Sequence, residues 1–155
     1  MIVKQLLPLD LQPLFFQMTR GEQIHSIRVC KALMAEGERD PDLLEAALLH
    51  DIGKTIYPLK IWERVWIVLT KEGRENIQNS YRGISASSLK QYPWWKRAGI
   101  VAENHSEWGA QLLRGFQVNS QLIWLVQNHQ ERIAIGEGNT KRIQLEKLKQ
   151  ADDRC

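Results

Sequence analysis

The chain contains four histidines, His25, His50, His105 and His129. Imidazole nitrogens and carboxylate oxygens together form a donor set suited to divalent metals such as Zn, Fe, Mn, Co, Ni or Mg. His50 stands next to Asp51 in the run Glu45-Ala46-Ala47-Leu48-Leu49-His50-Asp51-Ile52-Gly53-Lys54. An apolar run that ends on an imidazole and a carboxylate can present both at one end of a buried helix, where a single ion would reach them. Alone, the pair reads as a polar helix end. The remaining histidines change that balance, because each falls on or beside the apolar side of an expected helix. A second carboxylate, Asp152, follows Leu145 and Leu148 at i, i+3 and i+7. Carboxylates and imidazoles facing a core are costly unless they are partnered. A metal centre would give them all one partner.

The elements that must position these residues are legible as helices. Asp40 is a fitting N-cap, with Pro41 at the first helical position and Asp42 in the first turn. A helix is therefore expected from 41 to about 52, with Gly53 closing it at its C-terminal side. Residues 22–36 read as a helix with His25 near its apolar face and Gly37 as its stop. Pro93 opens a segment with Trp94, Trp95, Lys96 and Arg97 that leads towards His105. The Trp pair is expected to be half-buried at a helix start; basic residues among aromatics could also bind nucleotide or single-stranded nucleic acid. His105, Trp108, Gly109 and Leu112 share one helical face, and Gly109 would let another backbone approach closely. Asn119 or Ser120 caps a helix running to about His129, and Thr140 caps the last. Residues 59–70 read as a core helix through Trp62, Val65, Trp66 and Leu69, and 71–92 as loop or short helices. The first twenty residues read as a loop followed by a short apolar helix around 14–18. No segment alternates as a strand does, so the expected fold class is all-α, a compact helical bundle.

With 155 residues, the chain is expected to form one domain over 1–155, with a motif-bearing core at about 22–153 and an N-terminal packing segment at 1–20. Hydrophobic residues at 43% and charged residues at 25% describe an ordinary soluble composition. A net charge of +3 permits anionic ligands without demanding nucleic acid. Cys30 and Cys155 lie far apart, in no metal-like spacing, which fits a reducing compartment. No apolar run reaches membrane-span length, and the segment Leu6–Phe16 is broken by Pro8, Asp10 and Pro13. A cytoplasmic location is the resulting expectation.

The pattern His25, His50-Asp51, Asp152 resembles the HD-domain superfamily of metal-dependent phosphohydrolases, in its HDIG-type wording Leu48-Leu49-His50-Asp51-Ile52-Gly53-Lys54. His105 followed by Gly109-Ala110, with His129 on the next helix, is similar to the extended versions that hold two metals. These include the enzymes that hydrolyse diadenosine tetraphosphate and the cyclic-dinucleotide phosphodiesterases. The Gly-Tyr-Pro element of the cyclic-di-GMP subgroup is absent. The resemblance implies a first divalent metal on His25, His50, Asp51 and Asp152. It also implies that Asp51 bridges to a second metal held by His105 and His129. Two ions about 3.5–4 Å apart would then hold an activated water and polarise a phosphoryl oxygen. Lys54, just past the metal-bearing helix end, and Arg28, one turn after His25, are the candidate phosphate contacts beside Asp51. Glu131 and Arg132 could line the pocket. The implied partner is a small phosphorylated substrate such as a nucleotide, with no membrane. An HD-fold metal or nucleotide sensor without turnover, and a di-iron oxygenase using the same six ligands, are the alternatives. The metal, its number, the substrate and the oligomeric state stay open. Asp152 lies three residues before the end of the sequence, where helices fray, so it is expected to need the metal or a neighbouring subunit to hold it.

Overall fold

The computed structural model describes residues 2–58, 81–131 and 140–155. The core helix expected over 59–70, the residues 71–80, Arg132 and the loop expected at 133–139 lie outside the described residues. All regular structure among the described residues is helical, so the fold class is all-α. The α-helices among the described residues are α1 (Ile2–Leu6), α2 (Gln12–Gln17), α3 (Arg20–Ala35), α4 (Pro41–Leu49), α5 (Trp94–Leu113), α6 (Ser120–Asn128) and α7 (Thr140–Arg154). Two 3-10 helices, Ile52–Ile56 and Ala86–Gln91, connect them.

The helix α4 is the hub. Leu43, Leu44, Ala46, Ala47, Leu48 and Leu49 are all buried, so most of its circumference faces neighbours. It packs on α3, α6 and α7, with α1 and α2 covering one side. Asp40 caps it as expected, accepting from Leu43 N at 3.0 Å. Its end differs from expectation. The α-helix stops at Leu49, His50 is the C-cap, and the chain continues after Asp51 as a 3-10 helix that contains Gly53. Gly53 is therefore no left-handed helix stop; among the described glycines only Gly37 and Gly83 have positive φ. What glycine supplies at 53 is space. A Cβ there would lie 1.9 Å from His105 O and 2.7 Å from Gly109 N. Gly109 in turn would put a Cβ 3.2 Å from Gly53 N. The two glycines let the 3-10 helix lie backbone against backbone on α5, the close approach that Gly109 predicts.

The helix α3 begins two residues before the expected start, because Thr19 and Glu22 form a capping box that the periodicity alone does not reveal. It ends in a Schellman turn: Glu38 N donates to Leu33 O and Gly37 N to Met34 O, both at 3.1 Å, with Gly37 at φ +92°. The N-terminal segment is more helical than expected, since α1 precedes α2. Val3, Leu7, Leu11, Leu14, Phe15 and Met18 bury their side chains in the main core, as an apolar packing segment would. A second, smaller cluster, Leu89, Ile100, Val101 and Trp108, sits on the outer side of α5. There Trp108 Nε1 donates to Ile84 O at 3.0 Å. Trp94 and Trp95 are about half-buried, 42% and 49% exposed, and pack edge to face on each other. They occupy the first two positions of α5, ahead of Ala98, where its buried face begins.

Candidate metal centre

Six side chains meet where α4 ends. His25 comes from α3, His50 and Asp51 from the end of α4, His105 from the middle of α5, His129 from the C-cap of α6, and Asp152 from the last turn of α7. They form two groups, His25–His50–Asp152 and Asp51–His105–His129. Within each group one donor atom per residue lies within 4.8 Å of the others. The groups adjoin, with the His50 and His129 ring centroids 5.2 Å apart. Asp51 faces both. Its Oδ1 is 3.1 Å from His105 Nε2, and its Oδ2 is 3.7 Å from His50 Nε2.

The main chain orients the three buried rings. Nδ1 of His50 lies 3.0 Å from Ala47 O, Nδ1 of His129 2.7 Å from Val126 O, and Nδ1 of His105 3.0 Å from Ala102 O. A carbonyl only accepts, so each Nδ1 carries the proton and each Nε2 turns an unshared pair into the centre. His50 Nε2 is fully buried and has no hydrogen-bond partner. Its nearest oxygens, on Asp152 at 3.5 Å and Asp51 at 3.7 Å, are too far or too poorly aligned to bond it. An orphaned lone pair is expensive in a core. The donor set, with imidazole Nε2 atoms and carboxylate oxygens converging on buried space, fits a divalent cation.

The electrostatics point the same way. Burial opposes ionisation of Asp51, but His50, the His105 contact and Lys54 outweigh it and hold its pKa well below the usual carboxylate range. Burial likewise opposes ionisation of Asp152, and its bond to His25 together with the nearby His50 imidazole overcomes this. His50 is pulled up despite burial, because both carboxylates favour positive charge on it. His129, fully buried beside two other imidazoles and farther from the carboxylates, is pushed down to about 3 and stays neutral. The two carboxylates therefore favour positive charge in the centre, while His129 stays neutral with a lone pair to donate.

The other expected site residues fall on the rim. Lys54 Nζ reaches Asp51 Oδ2 at 2.6 Å and is partly exposed. Arg28 is exposed one turn beyond His25 and pairs with no described residue. Glu131 is joined to Arg82 at 2.5 Å and turns its carboxylate outward. Asp153, the neighbour that could rival Asp152, is exposed. Sequence reading missed two polar contacts of the turn after His129: Gln130 Nε2 donates to Ala102 O at 3.1 Å, and Lys149 Nζ donates to Glu131 O. A lysine three residues before Asp152 was the only available hint.

The family model of the HD domain matches residues 23–154. Comparison with the curated proteins and with the solved structures returns no match. HD domains bind divalent metals, and the two groups here are of the kind that hold one. The match begins just ahead of His25 and ends just past Asp152, so it spans every side chain of the centre. The chain belongs to the HD domain family.

Proposed function

We propose that this chain is a metal-dependent phosphohydrolase that acts on a nucleotide or another small phosphate ester. The observation that carries the reading is Asp51: one buried carboxylate turns its two oxygens towards two adjoining His-rich groups. In this reading His25, His50, Asp51 and Asp152 hold a first ion, and Asp51, His105 and His129 hold a second. When bound, such ions lower the pKa of a coordinated water and polarise a phosphoryl oxygen.

The chain's own residues supply the rest. The main-chain carbonyls of Ala47, Ala102 and Val126 fix the imidazoles of His50, His105 and His129 before substrate arrives. Lys54 sits between Asp51 and solvent and offers its ammonium to an incoming phosphoryl oxygen. Arg28, beside the open group, offers a second positive charge for a distal phosphate. Nucleotide as the substrate, hydrolysis as the reaction and the cytoplasm as the location belong to this proposal; no helix among the described residues is long and apolar enough to cross a membrane.

The test is hydrolysis of a generic phosphomonoester and a generic phosphodiester with Mn or Co, in wild type and Asp51→Ala. Turnover that Asp51→Ala abolishes supports the reading. Tight nucleotide binding without product would replace it with a sensor. A mixed-valent iron spectrum without phosphoester turnover would replace it with oxygen chemistry.

A further inference from the structure

The turn after His129 is held from two sides. On one side Gln130 Nε2 donates to Ala102 O, the carbonyl that also receives His105 Nδ1. On the other side Lys149 reaches across from α7 and donates to Glu131 O. Glu131 N closes the same turn onto Asn128 O at 2.9 Å. The Lys149 ammonium therefore sits at the C-terminal end of α6, where the helix dipole favours a cation. Lys149 also stands one turn before Asp152 on α7. Its two ends thus serve different groups: the ammonium secures the α6 end that presents His129, and the backbone belongs to the helix that presents Asp152.

We propose that Lys149 is a positioning residue that couples the two halves of the centre, setting the α6 end and the last turn of α7 relative to each other. It touches neither substrate nor ion. The inference rests on the metal-centre reading above and names a residue that reading does not use. Loss of the ammonium frees the Glu131 carbonyl and lets the two walls drift apart, so ligand geometry loosens in both groups together. Outer contacts of this kind are worth roughly 10- to 100-fold in metal affinity.

The experiment is a Co(II) titration of the metal-free protein, followed by visible absorption, in wild type, Lys149→Met and Lys149→Arg. Met keeps the apolar stem and removes the donor; Arg keeps a donor at similar reach. The expected result is a roughly tenfold or greater weakening in Lys149→Met, with altered d–d bands for every bound ion and recovery in Lys149→Arg. Thermal unfolding of the metal-free proteins serves as the second measurement, and Lys149→Met should melt within a few degrees of wild type. Wild-type affinity and spectrum in Lys149→Met overturn the inference while leaving the metal centre intact. So does a lowered melting temperature with an unchanged spectrum, which marks a purely structural tie. Wild type that takes up no Co(II) overturns the metal-centre reading and this inference together.

Discussion

The two groups of the centre are built differently. Asp51, His105 and His129 are 4%, 3% and 5% exposed, and both rings are fixed by main-chain carbonyls. In the other group only His50 is so held. The side chains of His25 and Asp152 are 28% and 30% exposed, and the contact that orients them is their own 2.7 Å bond. A cation binding there would have to replace that bond; a cation in the buried group finds rings already aimed. The difference separates a preorganised site from an accessible one. In the proposed hydrolytic reading the enclosed group would keep its ion, and the open group would face the incoming substrate.

Point substitutions put this contrast to the test. The largest effect is expected from Asp51→Ala, which removes the side chain common to both groups: metal per chain, measured on protein purified without added metal, should fall in both, and turnover should drop by more than ~100-fold, beyond what outer contacts cost. A variant that retains full metal content would dissolve the idea of a shared carboxylate. Gly53→Ala comes next. A Cβ at 1.9 Å from a backbone oxygen cannot be absorbed by a side-chain rotation. A loss of roughly 4 kcal/mol is expected, hence a melting temperature lower by about 8–16 °C. Metal should be lost from the Asp51–His105–His129 group first, since this contact brings Asp51 to His105.

A direct comparison of the two groups pairs His25→Ala with His105→Ala. His25→Ala should leave one ion bound tightly and cost little stability, because the ring is partly exposed. His105→Ala should lose the tight ion and also lower the melting temperature, because it opens a cavity beside α5. Equal metal losses in the two variants would erase the distinction. The smallest effect concerns α4 itself. Burial, with Asp42 and Asp10 nearby, pushes the Glu45 carboxyl up to about 7. The folded protein thus binds a proton more tightly than the unfolded chain, whose Glu titrates near 4.5. Stability from this group is present at low pH and is lost as pH rises from about 4.5 to 7. With screening at a partly exposed site the effect is on the order of 1 kcal/mol. Glu45→Gln should flatten that slope and raise the melting temperature at pH 8 by about 2–4 °C.

Much of this arrangement is legible in the sequence, and the limits are physical. Helical period places His105 beside Trp108 and Gly109, and Asp152 beyond Leu148, because burial forces one face of each helix to be apolar. Asp40–Pro41 and Asn119 were readable as caps because capping is local chemistry. Gly53 was misjudged because a glycine after an apolar run looks the same whether it supplies positive φ or room for a neighbouring backbone; only the partner helix distinguishes them. The contacts of Gln130 and Lys149 are not legible in the sequence for a related reason: a long polar side chain bonding a distant carbonyl leaves no periodic trace. The concern that Asp152 would fray is answered by contacts between helices: Lys147 pairs with Glu38 at 2.5 Å and Arg154 with Glu36, tying α7 to the end of α3.

The two thiols differ as sharply as the two groups do. Cys30 is fully enclosed in the main core, and burial pushes its thiol up to about 11, so it presents almost no thiolate at neutral pH. Cys155 is exposed, three positions past Asp152. A maleimide dye added to the unmodified protein should attach at that one place. It would provide a fluorescent reporter beside the accessible half of the centre with no mutagenesis at all.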